Sequence, residues 1–272
     1  MGNIFEIIFV NPVVNLLVVF YKLFLQVGLP GAFGFAIIAI TLSIRGLLHP
    51  FFQQQIDTAH KMKGIKPKID ELSKKHKNDA KKLQQEQMRL YQEAGINPAA
   101  GCLFAIVQIP VFIGLYQTLQ LFLVHGSENG VVKQINQKLY DSMLHIQSID
   151  PNFFMFNLAL SPAKAGEWYY YLIPVMTAAL QYWQTQVTMP AMTSEPAKTD
   201  KKDGSKKEEK SNTSEEFQKA LQMQMKYFFP IMIGYFSYTL PVGLSIYWNI
   251  FSLFSIIQHY LNARKTISNL QK

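Results

Sequence analysis

The sequence predicts an all-α integral membrane protein: five transmembrane helices, an N-terminal interfacial helix and a cytoplasmic helical hairpin. Three observations lead there. Only 16% of the 272 residues are charged, against 49% hydrophobic, where a soluble domain carries about a quarter charged. The charges are segregated, so long apolar stretches alternate with lysine-rich ones, as in a chain with two solvents. The basic residues also fall on one side of the predicted membrane.

The first apolar stretch, residues 4–29, has no basic segment ahead of it; Glu6 precedes the first lysine, Lys22. That argues against a signal peptide. Its polar residues Asn11, Asn15, Lys22 and Gln26 fall in one narrow stripe at helical spacing, which suits a helix lying at the membrane interface. A sixth spanning helix is the alternative. Residues 1–30 thus form an interfacial helix ahead of a core at 31–272.

Residues 31–50 form the first span, with one charge, Arg45. Residues 51–97 are polar and basic, with sparse apolar positions (Ile65, Ile69, Leu72, Leu83, Leu90). They predict a solvated helical hairpin punctuated by Gly64, Pro67 and Asn78-Asp79. Asn78 or Asp79 caps its second helix, and Gly95 with Pro98 ends it. Residues 99–122 form the second span, and 123–167 an extracytoplasmic loop. The third span, 168–187, opens on Trp168, Tyr169, Tyr170 and Tyr171, aromatics suited to the headgroup level. Residues 190–216 hold too little apolar content to fold and are expected to be disordered. Residues 227–240 and 242–261 are the last two spans, joined at Leu240-Pro241-Val242-Gly243.

Orientation follows from lysine and arginine. Segments 51–97, 188–226 and 262–272 hold 21 of the 26, and the opposite side holds 4. The positive-inside rule places the former in the cytoplasm and the N-terminus outside the plasma membrane. The same rule accounts for the net charge of +8 without sequence-specific nucleic acid. A single cysteine, Cys102, gives no disulfide. No zinc, calcium or phosphate-loop spacing appears, so no cofactor or metal is expected.

The informative residues are polar groups inside spans. Thr41, Arg45 and His49 share one face of the first. Gln108 interrupts the second; Thr177, Gln181, Gln184 and Thr188 stripe the third; Ser245, Asn249, Ser252 and His259 stripe the last. Such groups turn away from lipid, because each costs several kcal/mol in hydrocarbon unless satisfied. Arg45 admits two readings, a charge in an inward groove or a side chain snorkelling to the nearby headgroups. The hydroxyl stripes likewise admit helix packing or a wet cavity.

The order of these parts resembles the YidC family of membrane protein insertases. The resemblance rests on Ile44-Arg45-Gly46 with Pro50, Lys66-Pro67-Lys68-Ile69, and Asn97-Pro98-Ala99-Ala100-Gly101-Cys102. Gln108-Ile109-Pro110-Val111-Phe112 and the run Leu240 to Trp248 complete it. Phe104 stands where the family commonly has proline. The resemblance implies an insertase and chaperone, not an enzyme. Arg45 would be the charge of a groove wetted by Thr41, Gln108, Gln181 and Asn249. Phe112, Tyr247 and Trp248 would contact a sliding client. The implied partners are nascent membrane proteins and the bilayer, with ribosome and Sec-type translocon contacts compatible with the basic hairpin. A positive field alone would let Arg45→Lys function. Two other readings compete: a small anion transporter or channel using Arg45, and a signalling protein that acts through its hairpin.

Overall fold

The computed structural model describes residues 2–76, 79–97, 100–123, 130–188 and 223–270. The expected disorder of 190–216 therefore lies outside the described residues, as does Asn78. The fold is all-α. Its long helices are α1 (Asn11–Gln26), α2 (Ala32–Leu47), α3 (His49–Lys75), α4 (Ala80–Glu93) and α5 (Ala100–Leu123). They are followed by α6 (Val131–Lys138), α7 (Leu172–Thr188), α8 (Phe229–Thr239) and α9 (Val242–Leu270).

A short helix, Gly2–Phe5, and a π-helical turn, Glu6–Val10, extend α1 at its N-terminal end. The segment Glu6–Gln26 is long and apolar enough to cross a membrane. Part of its polar stripe is taken up by contacts within the protein, while Gln26 stays exposed. Asn15 is buried: its Nδ2 donates to the carbonyls of Asn11 (2.8 Å) and Lys138 (2.9 Å), and its Oδ1 accepts from the Tyr140 amide (2.7 Å). Lys22 donates to the carbonyl of Met143, and Lys138 pairs with Glu6 at 3.1 Å. Asn15 and Lys22 thus help to seat the loop that follows α5. Asn15→Leu removes the bonds to the Lys138 carbonyl and the Tyr140 amide, both partly shielded from solvent. We expect it to cost about 2–3 kcal/mol and to make residues 131–150 the first site of limited proteolysis.

That loop folds. After α6 come a short 3₁₀ turn, Ser142–Leu144, and a two-stranded hairpin, β1 (Asn152–Phe153) paired antiparallel with β2 (Phe156–Asn157). The Asp150 amide donates to the Tyr21 hydroxyl (3.1 Å) and the Asn157 amide to the Tyr170 hydroxyl (2.7 Å). The amides of Val242 and Gly243 donate to the carbonyls of Leu160 and Leu158. These bonds fasten the loop to α1, to the turn before α7 and to the start of α9.

Helix α2 ends where the Leu48 amide bonds to the Ile44 carbonyl, and α3 leaves with a bend of 67°. Helix α3 runs unbroken through Gly64 and Pro67, where the sequence suggested punctuation. The turn comes later: the Asp79 carboxylate accepts from the Lys82 amide at 3.0 Å, capping α4 as expected. Gly95 closes α4 at φ +62°, a conformation that favours glycine. The main core gathers Val14, Leu17, Val18, Phe33, Ile37, Ile40, Leu115, Leu119, Phe122 and Leu244.

Candidate functional site

Six residues of α9, from Tyr247 to Ser252, bring the predicted polar groups to one level. They rise only roughly 7–8 Å along the helix axis. From α5, the Gln108 amide reaches the Tyr247 hydroxyl at 3.4 Å. From α7, Gln181 Oε1 accepts from the Ser252 hydroxyl at 3.0 Å. From α2, Arg45 Nη2 donates to the Phe251 carbonyl at 2.8 Å. Asn249 is 9% exposed, and its Oδ1 has no partner in the protein. Thr41 is buried one turn away from Arg45, and its hydroxyl bonds back to the Ile37 carbonyl at 2.6 Å. His49 does not share this face. The bend after Leu48 turns it into solvent.

Arg45 is not a snorkelling side chain. Only 2% of it is exposed, and its Nε is buried without a partner in the protein. Its guanidinium carbon lies 4.0 Å from the ring centre of Phe52 and 3.7 Å from that of Phe251, with Phe254 at 5.6 Å. The Phe52 and Phe251 rings meet at 72°, so the cation occupies the corner between them. Quadrupole attraction from two ring faces partly replaces lost hydration. Among the described residues no carboxylate forms an ion pair with Arg45. Sequence reasoning missed Phe52 and Phe251. The readable signal was the apolar pair Phe51-Phe52 heading an otherwise polar hairpin.

The stripes divide between the two roles. Ser237 of α8 bonds to Thr177 at 3.1 Å and to Ser245 at 2.7 Å, all three buried, so these hydroxyls join α7, α8 and α9. Phe112 stacks on Trp248 at 6.0 Å and packs against Tyr247 at 6.3 Å. Tyr247 and Trp248 are both buried, so the three rings form the joint between α5 and α9.

Beyond the bend, the base of α3 is fastened to α9. Asn262 donates to Gln53 at 2.8 Å, and His60 stacks on His259 at 4.7 Å. Lys63 donates to the Val187 carbonyl of α7 at 3.2 Å. Burial, then the Lys63 charge, pushes the His60 imidazole below its ordinary value, with Asp57 opposing weakly. The docked form therefore binds its proton less readily than the undocked form. Docking is complete above about pH 6.5 and weakens as pH falls below it. Hydrogen exchange over residues 53–63, corrected for intrinsic rates, should quicken between pH 7 and 5 in the wild type. The response should be smaller in His60→Gln, where His259 still faces Lys63.

The chain is similar in sequence to known proteins. The model of the 60Kd inner membrane protein family matches residues 24–269. Inner membrane protein ALBINO3 of Arabidopsis thaliana chloroplasts is 33% identical over 82% of the chain, which spans 44% of that protein. The membrane protein insertase YidC of Caulobacter vibrioides is 31% identical over 94% of the chain, which spans 36% of it. The YidC of Oceanobacillus iheyensis is 30% identical over 84% of the chain, with 73% of its own length covered.

Proposed function

The chain belongs to the 60Kd inner membrane protein family, the family of the YidC insertases, and we propose that it inserts hydrophobic client segments into the bilayer. The observation that carries this reading is Arg45, a buried cation with no carboxylate partner among the described residues. It lies where α2, α5, α7 and α9 converge their polar groups. An unpaired buried charge persists where it has work to do, because it costs stability. Here the work is attraction of a client's short acidic tail into the protein. Gln108, Gln181 and Asn249, with Thr41 above them, keep that path polar. The client's apolar helix then leaves sideways past the ring joint of Phe112, Tyr247 and Trp248. No covalent step is needed, so the role is that of a chaperone and not an enzyme. The basic hairpin α3–α4 faces the cytoplasm and receives clients there, and the N-terminus lies outside.

The test is insertion of a single-span client with an acidic tail into liposomes holding this protein alone. Protease protection of the client that requires the protein supports insertion. Equal protection in empty liposomes refutes it. Anion uptake that vanishes in Arg45→Ala would instead favour a transporter.

A further inference from the structure

We infer that Phe52 is a shutter over Arg45, carried on the base of the cytoplasmic hairpin, that opens for anionic tails in preference to neutral ones. The inference rests on the insertase reading for its client, but its geometry stands apart from it. Phe251 and Phe52, the two rings nearest the guanidinium, belong to elements of different freedom. Phe251 is part of α9, the helix to which α2 and α7 are bonded. Phe52 belongs to the first turn of α3, just beyond the 67° bend. Backbone bonds cross that bend, from the Leu48 amide to the Ile44 carbonyl and from the Phe51 and Phe52 amides to the Leu48 carbonyl, and they sit at the pivot itself. Beyond the pivot the base of α3 is held by its buried apolar residues Ile56, Ala59 and Met62 and by three side-chain contacts: Gln53 with Asn262, His60 on His259, and Lys63 on Val187. All lie on one side of the pivot and release together when the hairpin swings out.

With the shutter closed, Arg45 has ring faces and one backbone carbonyl as partners, while Nε has none. A carboxylate arriving at the guanidinium edge makes charge-assisted hydrogen bonds that a ring face cannot match. It therefore displaces Phe52 with a net gain. A neutral tail offers no such gain and leaves the ring in place. Phe52 thus sets specificity by competition, and it acts as a positioning residue through Arg45. The stacked arrangement also needs a planar cation, which lysine does not offer.

An arginine-selective dicarbonyl, phenylglyoxal, tests the cover on the intact protein without any client. Labelling at Arg45, followed by mass spectrometry, is compared with Arg89, whose side chain is 70% exposed. In the wild type Arg45 should label at least about tenfold more slowly, because reagent access requires the hairpin to open. Phe52→Leu should speed Arg45 labelling severalfold. Phe52→Trp, which keeps a ring face over the cation, should stay protected. Asn262→Ala, which loosens the hairpin base without touching Arg45, should speed labelling too and keeps the test decisive if Phe52→Leu does not fold. Wild-type Arg45 labelling as fast as Arg89, or protection unchanged in both Phe52→Leu and Asn262→Ala, overturns the shutter. In the insertion assay, Phe52→Leu should raise protection of neutral-tailed clients about threefold and narrow the acidic-to-neutral ratio, as loss of one cation–π partner implies. An equal fall for both tails would make Phe52 merely structural. Because labelling needs no client, failure of the shutter is distinguishable from failure of the insertase reading.

Discussion

Replacing Arg45 by methionine should abolish the preference for acidic-tailed clients while making the protein more stable. The two effects share one cause. In the folded chain the guanidinium is buried with ring faces, one carbonyl and an unpartnered Nε around it. Burying a charge without an opposite charge is costly, and apolar replacements of similar volume are often stabilising by about 1–4 kcal/mol. Methionine fills the corner between Phe52 and Phe251 and removes the cost. Thermal unfolding should therefore shift upward by a few degrees, on the order of 2–4 °C per kcal/mol. Insertion of an acidic-tailed client should fall by about 10- to 100-fold, the equivalent of a charged hydrogen bond of roughly 1.5–3 kcal/mol. A neutral-tailed client should change little. Arg45→Lys, which a positive field alone would spare, should lose most of the activity, because a lysine ammonium has no plane to set between two rings. Arg45→Glu should harm acidic tails most of all. A methionine variant that is both inactive and unstable would assign Arg45 a structural role.

The second large effect is expected at Gly34. A Cβ there would lie 2.2 Å from Cδ2 and 2.4 Å from Cγ of Phe153. The ring of the outer β-hairpin is thus wedged against the backbone of α2, over Gly31 and Gly34. Gly34→Leu forces that ring out. Overpacking of this kind costs about 1–3 kcal/mol, and it also pulls Phe153 off the Phe35 ring, 5.3 Å away. The hairpin contains Phe154 at φ +53°, a left-handed conformation that costs a further 1–3 kcal/mol or so for a bulky residue. The expected result is early proteolytic cleavage within 150–157, with the helical bundle still intact. Pairing Gly34→Ala with Phe153→Ala should cost less than the two single changes summed, since removing the ring relieves the clash and the new methyl fills part of the space it leaves. Simple additivity would mean that the wedge is not what fastens the loop.

The helical class was legible because lipid demands what the sequence displays: long apolar runs, and polar groups confined to single faces. The α4 cap at Asp79 and the stop at Gly95 were legible for a local reason, since caps and left-handed turns are chosen by one or two residues. Pro67 misled because a proline's local cost was outweighed by the apolar face of α3. Ile56, Ala59, Met62 and Ile69 are buried along it on both sides of that proline.

The sequence by itself determined that this chain is helical, that its basic residues cluster in a few segments, and that Arg45 stands in an apolar run where charge is expensive. These follow from periodicity and composition, which are properties of a chain read in one dimension. The tertiary structure alone decided which polar groups meet and what covers the arginine. Gln108 and Tyr247 are 139 positions apart, and Arg45 and Phe251 are 206 apart. No spacing rule spans such a distance; only the packing of α2, α5 and α7 around α9 does. The bend after Leu48 made the largest difference. It turned His49 outward and laid Phe52 over the cation, exchanging the neighbour that helical periodicity predicts for one that only the fold supplies.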